Sequence, residues 1–372
     1  MNKSQKRIAI LLPALYGGGA ERVILNLAIG LAGQGYATDL VLAQVEGPYL
    51  GEVPGSVRLE ELNPRHLRAL RTVGSLPSLV RYLRHERPDA LLTALHANIV
   101  ALWARRLAGI PQRVVISEHN TLSRQIQQLP GWYSRLMLRL VRCFYPWANA
   151  IVAVSEGVAN DLAQVTGMPR NRIQVIYNPV VTPEFRKKVQ EPLTYPWFET
   201  GEPPVILGVG RLAPSKDFPT LIQAFARVRT ICPARLLILG EGEERAELEA
   251  LVRQLDLGQD VRLPGFIPNP YPYMARAKLF VLSSRWEGLP TVLVEALYCG
   301  APIIATDCPS GPREILRGGQ YGQLVPVGDV ASLAQAIETS LDGATIRPPC
   351  ESWQPFELET AVKEYIKVLL GI

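Results

Sequence analysis

The chain has 372 residues, 48% of them hydrophobic and 20% charged, which is the profile of an ordinary water-soluble globular protein long enough to need two cores. No run of about 18 apolar residues is present for a membrane-spanning helix, and Cys143, Cys232, Cys299, Cys308 and Cys350 fall in no metal-ligand spacing. The net charge of +5 is uneven: residues 1–185 hold 20 Lys/Arg against 12 Asp/Glu, whereas the remainder holds 19 against 22. Such asymmetry suggests an acidic partner for the first half.

Taken in order, Arg7–Leu12 is a continuous apolar run, as a parallel strand buried on both faces requires. It stops at Pro13, too soon for a signal-peptide core, so the expected compartment is the cytoplasm, with reduced structural thiols. Gly17-Gly18-Gly19 follows as a loop, then a helix from about Ala20 with Val23, Ile24, Leu27 and Leu31 on one face. Further strands are expected at Asp39–Ala43, Asp89–Thr93, Arg113–Ser117, Ala150–Val154 and Ile173–Tyr177, with helical patterns between most of them. The prolines at 183, 192, 196, 203 and 204 read as an interdomain linker. A second strand–helix series opens at Val205–Val209 and continues through Arg235–Leu239, Asp260–Leu263, Leu279–Leu282 and Pro302–Ala305. The stretch Phe356–Leu370 is a helix. The expectation is α/β: two Rossmann-like doubly wound domains, 1–185 and 186–355, facing across a cleft, with the final helix, about 356–370, able to pack back on the first.

The densest chemistry lies in Ser283–Ala296. A Gly288-Leu289-Pro290 turn opens a helix, Pro290 suits its first turn, and the free N–H groups after it can hold a diphosphate. Glu287 before the helix and Glu295 within it can approach one ligand from different sides. Carboxylates beside a phosphate site suit ribose or sugar hydroxyls, so the segment reads as a sugar-nucleotide site. Upstream, Gly208-Val209-Gly210-Arg211-Leu212 with Lys216 sets two cations just past a strand end, where they can neutralise a departing diphosphate. Solvated surface cations are the alternative for that pair taken alone.

Together, Gly210-Arg211-Leu212 with Lys216, Gly240-Glu241-Gly242, Glu287-x7-Glu295, the N-terminal glycine loop and Ile176-Tyr177-Asn178-Pro179 closely resemble the retaining glycosyltransferase family 4 of GT-B fold, over nearly the whole chain. The resemblance implies that Arg211 and Lys216 bind the donor diphosphate, Glu295 the ribose and Glu287 the transferred sugar. Backbone N–H groups of Gly288, Leu289 and Val292, with Thr291, would complete these contacts. Glu241 and the base-bordering Phe266 of Gly265-Phe266-Ile267 would join the donor site. Transfer would proceed with retention, and the departing phosphate can take the acceptor's proton. No Asp-x-Asp is present, so no metal and no cofactor are expected beyond the sugar nucleotide, with UDP preferred over GDP.

Gly17–Gly19 does not form G-x-G-x-x-G, and Asp39 begins rather than ends its strand, both of which argue against NAD. Gly18 and Gly19 can still bring backbone close to the donor, the other reading being a tight turn. His119, in Ser117-Glu118-His119-Asn120, ends a strand, and the resemblance implies that it meets the donor sugar; a purely structural histidine is the alternative. His96 is a weaker candidate of the same kind.

On the acceptor side, Leu76, Leu79, Val80 and Leu83 form a helical stripe beside Arg81, Arg84 and Arg87, preceded by Arg65, Arg68 and Arg71. Trp132, Leu136, Leu140 and Phe144 form another beside Arg135, Arg139 and Arg142. Both suit an anionic membrane surface, although either stripe could face the core. The expected enzyme is a glycosyltransferase moving a hexose or N-acetylhexosamine to a lipid-linked oligosaccharide, lipopolysaccharide or polysaccharide, at the inner face of the cytoplasmic membrane. The tract Asp307–Glu314 resembles bacterial members of that kind. A GT-B sugar-nucleotide epimerase and a non-catalytic membrane-associated scaffold are the alternatives. Nucleic acid is not expected, because no base-stacking or groove-reading motif accompanies the charge.

Overall fold

The computed structural model describes residues 5–62 and 71–372; Arg65, His66 and Arg68 lie outside the described residues. Two compact units emerge. The first is the chain up to Pro179 together with Phe356–Ile372, and the second is Val180–Pro355.

The first unit holds a seven-stranded parallel sheet of β1 (Arg7–Leu12), β2 (Ala37–Leu42), β3 (Val57–Glu61), β4 (Ala90–Ala94), β5 (Arg113–Glu118), β6 (Ala150–Ala153) and β7 (Ile173–Val175), in the order 3-2-1-4-5-6-7. Its helices are α1 (Gly19–Gly33), α2 (Arg71–Gly74), α3 (Leu76–Glu86), α4 (Asn98–Ala108), α5 (Leu122–Gln127), α6 (Gly131–Phe144) and α7 (Glu156–Thr166). The second unit opens with α8 (Pro183–Val189). Its six parallel strands are β8 (Val205–Val209), β9 (Arg235–Leu239), β10 (Val261–Gly265), β11 (Leu279–Leu282), β12 (Ile303–Thr306) and β13 (Gln323–Val325), in the order 10-9-8-11-12-13. Between and after them run α9 (Phe218–Arg229), α10 (Arg245–Gln254), α11 (Tyr271–Arg276), α12 (Thr291–Tyr298), α13 (Pro312–Ile315) and α14 (Val330–Leu341). The chain ends in α15 (Leu358–Leu370), which belongs to the first unit.

Both sheets are doubly wound, and each reverses its strand order once, between β1 and β4 and between β8 and β11. Ligands of open α/β sheets bind beyond the strand ends at such a reversal. The topology therefore brings together the loops after β8 and β11, which carry Arg211, Lys216 and Glu287. It likewise groups the loops after β1, β4 and β5, which carry Gly18, His96 and His119.

Three differences from the sequence reading have physical causes. The division falls at Pro179/Val180, not 185/186, because Thr182 accepts a hydrogen bond from the Phe185 N–H and Pro183 starts α8; an ordered helix occupies the front of the expected linker. Strand β3 was not anticipated: its Val-Arg-Leu-Glu-Glu sits at a sheet edge with only Val57 buried, so it lacks the apolar run of a central strand. The three-residue β13 is too short to carry a pattern. The last helix completes the first core: Val362, Tyr365 and Leu369 are buried with Ile24, Leu27 and Leu31 of α1. Gly30 permits that packing, since a Cβ there would lie 2.5 Å from Val362.

Candidate active site

In the second unit the loop after β8 is folded tightly on the loop after β9. Leu212 N–H donates to the Glu241 carbonyl at 2.8 Å, and Glu244 N–H returns to the Leu212 carbonyl at 3.0 Å. A Cβ on Gly240 would lie 1.9 Å from the Gly210 carbonyl oxygen, and one on Gly242 would lie 2.2 Å from that of Leu212. Only glycine fits at either position, which is the physical reason for Gly240-Glu241-Gly242. The loop is also tied to the segment after β11: Arg285 N–H donates to the Ser215 carbonyl at 2.8 Å, and Ser283 Oγ donates to that of Lys216 at 2.7 Å.

These ties bring Lys216 and Glu287 together. Lys216 Nζ lies 2.6 Å from Glu287 Oε1, which also accepts from Ser284 Oγ at 2.6 Å. Glu287 itself is fixed by its backbone, donating to Pro309 at 2.7 Å and accepting from Ser310 at 3.1 Å. Its carboxylate therefore stands on a braced loop beside a cation. Beyond it α12 begins at Thr291, with Pro290 as the capping residue one position earlier than the first-turn placement read from sequence. Gly288 and Leu289 are buried at this turn, while Thr291, Val292 and Glu295 are half-buried at the start of α12. Pro290, the N-cap of α12, makes no side-chain hydrogen bond to the first turn, and the N–H groups of a helix's first turn are where an anion is received.

Arg211 is largely exposed, with Glu243 a loose 3.8 Å away, so its guanidinium is free to reorient. Phe266 is exposed directly after β10. Glu241 differs from expectation: Arg245 holds both its oxygens, at 2.6 and 2.8 Å, and keeps its pKa below the usual carboxylate range. That bidentate pair braces the loop and leaves less of the carboxylate for a ligand. Sequence reasoning missed Arg285, whose guanidinium lies 3.0 Å from the buried Asp217 and so anchors the loop that carries Lys216.

In the first unit Gly17 adopts φ +96°, Gly18 caps α1 and Gly19 is its first residue. His119 is buried just past β5; burial alone pushes its pKa down to about 4, so it is neutral at physiological pH. Its Nε2 lies 2.9 Å from Ser117 Oγ, and its Nδ1 has no hydrogen-bond partner among the described residues. The adjacent Glu118 is also buried, which raises its pKa to about 7 against the pull of hydrogen bonds from Tyr145 Oη (3.0 Å) and from the backbone of Asn120 and His119. Asn98 donates to Tyr145 Oη at 3.2 Å. His96 is exposed.

The two basic helices part company. On α3, Leu79, Tyr82 and Leu83 are buried in the unit's own core, so its stripe is not a free face. Arg84 donates to the carbonyls of Leu107 and Ala108 at 2.8 and 3.2 Å, satisfying the end of α4, while Arg81 is exposed. On α6 only Val141 is buried; Trp132, Tyr133, Leu136, Arg135 and Arg139 are exposed. Arg142 is the exception there, donating to the Val165 carbonyl at 2.7 Å in the last turn of α7. Arg84 and Arg142, both read as membrane or acceptor contacts, thus have structural partners that complete helix ends.

No helix among the described residues is long and apolar enough to cross a membrane, and no group of three or more His, Cys, Asp or Glu among them could hold a metal ion. All five cysteines are free, and burial raises Cys299 and Cys308 to about 12.

Comparison with known proteins accounts for both units. Residues 17–183 match Glycosyltransferase Family 4, and residues 195–353 match Glycosyl transferases group 1. The chain is 30% identical over 98% of its length, and the full length of the relative, to the N-acetylgalactosamine-N,N'-diacetylbacillosaminyl-diphospho-undecaprenol 4-alpha-N-acetylgalactosaminyltransferase of Campylobacter jejuni. It is 28% identical to the lipopolysaccharide core biosynthesis glycosyltransferase LpsE of Rhizobium meliloti, over 89% of this chain and 87% of the relative. Among solved structures, Anabaena HepE with UDP and glucose superposes with a TM-score of 0.77 at 21% identity, covering 99% of this chain and all of the other. With matching domains in both halves, a full-length glycosyltransferase relative and two doubly wound sheets, the chain belongs to glycosyltransferase family 4 and is an enzyme of GT-B fold.

Proposed function

We propose that this enzyme transfers a hexose or N-acetylhexosamine, with retention, from a UDP-sugar to a lipid-linked or lipopolysaccharide-type glycan acceptor at a membrane surface. The observation that carries the reading is the Lys216–Glu287–Ser284 cluster at the reversal between β8 and β11, just before the N-terminus of α12. Lys216 and Arg211 neutralise the donor diphosphate, and the N–H groups of Gly288, Leu289 and Val292 with Thr291 donate to its oxygens. Glu295 accepts from the ribose and Glu287 from the transferred sugar. Phe266 lies against the base, and Gly18 and Gly19 bring backbone toward the donor. His119 contributes a neutral imidazole to a sugar hydroxyl. These protein charges do the work of a bridging metal, so no metal is required.

The acceptor class is supported by the Campylobacter relative, whose name describes addition to a diphospho-undecaprenol-linked saccharide. The exposed Trp132, Tyr133 and Leu136 beside Arg135 and Arg139 support contact with an anionic membrane. HepE, solved with UDP and glucose, supports a UDP-sugar donor. The test is thermal stabilisation of the purified enzyme by UDP-, GDP- and ADP-sugars in the presence of EDTA. A rise with UDP-sugars alone, lost in Lys216→Ala with the apo melting temperature unchanged, is the expected result. A rise only with GDP-sugars, or one abolished by EDTA, would overturn the donor or the metal-free part of the reading.

A further inference from the structure

Three buried side chains of the first unit form one hydrogen-bonded line. Tyr365 Oη lies 2.9 Å from Ser117 Oγ, which in turn lies 2.9 Å from His119 Nε2. Ser117 is on β5 and His119 is the first residue past it, two positions further on. Tyr365 arrives from α15, 248 residues further along the chain. His119 Nδ1 is buried with no partner among the described residues.

Counting protons decides how this line is polarised. The imidazole is neutral and carries one proton, and each hydroxyl carries one. If Tyr365 donates to Ser117, and Ser117 donates to Nε2, both hydroxyl protons have acceptors and the ring proton sits on Nδ1. If Nε2–H instead donates to Ser117, one hydroxyl proton is stranded in the core, and the Nδ1 lone pair is unmatched as well. The first arrangement leaves a single group for a ligand to satisfy, the Nδ1–H; the second leaves two mismatches.

We propose that Tyr365 is a positioning residue that, acting through Ser117, holds His119 as its Nδ1–H tautomer, so that the ring presents a donor to a hydroxyl oxygen of the sugar. Its second half rests on the role of His119 given under the proposed function. The C-terminal helix thereby takes part in the reaction without touching the substrate.

The test is long-range 1H–15N correlation of the imidazoles, with the His119 signals assigned by their loss in His119→Ala. The wild type is expected to show a protonated Nδ1 and a bare Nε2. Tyr365→Phe, which removes only the hydroxyl, is expected to give a mixture of tautomers; Ser117→Ala, which removes the link, is expected to do the same. The second readout is UDP release by hydrolysis of UDP-glucose, UDP-N-acetylglucosamine and UDP-N-acetylgalactosamine, with water taking the sugar in place of the glycan acceptor. With whichever of these turns over, Tyr365→Phe should lower kcat about fivefold to tenfold, the worth of one hydrogen bond, with little change in KM. A wild-type proton on Nε2, or an unchanged tautomer in Tyr365→Phe, overturns the proposal. His119→Ala separates the two ideas: wild-type turnover there removes the sugar contact and leaves the tautomer result standing. A slow His119→Ala beside a Tyr365→Phe that is wild type in rate and tautomer removes the positioning role alone.

Discussion

Helices α3 and α6 carry the same sequence signature, an apolar stripe at helical spacing flanked by arginines, and the structure gives them opposite surroundings. The stripe of α3 is consumed by the core: Leu79 and Leu83 are fully buried. The stripe of α6 is held only toward its C-terminal end, where Phe144 packs edge-on against Trp103 and Trp147 at 5.2 and 4.9 Å and the following Tyr145 donates to buried Glu118. Its opposite end leaves Trp132 73% exposed and Leu136 42% exposed. Amphipathicity states that a helix has an apolar face. Whether that face meets the protein or something else depends on what the fold packs there.

The sharpest break of the comparison is Leu83→Ala. On α3 it should destabilise the protein by about 2–5 kcal/mol, whereas Leu136→Ala on α6 should change stability by less than about 1 kcal/mol, read from denaturant unfolding. Next in size, Trp132→Ser with Leu136→Ser should leave the melting temperature in place and lower partition onto vesicles containing anionic lipid by about tenfold to a hundredfold, since an apolar side chain is worth about 1.5–3 kcal/mol when fully buried and an interfacial helix buries each of the two only in part. Wild-type binding by that variant would mean that α6 is not the lipid-facing helix.

A third experiment probes the anchor of α6. The Glu118 pKa is raised to about 7 in the folded protein from an ordinary 4.5, so its protonated form is favoured. The associated stability is fully present below about pH 4.5 and is lost as pH rises through about 7, by roughly 1–3 kcal/mol. Glu118→Gln should flatten that dependence, and Tyr145→Phe, which removes a hydrogen bond to the carboxylate, should move its midpoint up. A Glu118→Gln stability profile as steep as wild type over that range would count against the assignment. The smallest effects distinguish the arginines. Arg135→Gln and Arg139→Gln should each weaken binding to anionic vesicles by about 1 kcal/mol, more at low salt, without affecting stability. Arg84→Gln and Arg142→Gln, which release helix-end carbonyls, should lower stability by about 0.5–1.5 kcal/mol.

The contrast also marks what a sequence can disclose. Central strands such as Arg7–Leu12 were legible because a parallel strand covered on both faces must be apolar throughout. The loop carrying Glu287 was legible because glycine, proline and charge sit at fixed offsets within a few residues. What escaped needed distance: Ser117 with Tyr365, Arg285 with Asp217, Arg84 with the end of α4. No local pattern marks which serine a tyrosine 248 residues away will meet, or which arginine of a basic run will be drawn to a neighbouring helix end. Even Ser117 and His119, two residues apart, could not be paired from strand alternation, because His119 falls past the end of β5.

The return of α15 to the first unit has a consequence for synthesis. While the ribosome makes the second unit, the first is already outside but lacks the side chains that close its core, Val362, Tyr365 and Leu369 among them. The second unit, continuous from Val180 to Pro355, can complete its own fold first. The nascent first unit must therefore wait, with an uncovered apolar seam along α1, until α15 has been made. A translation pause between the second unit and α15, or loss of that helix, would expose that seam to chaperones and proteases for longest.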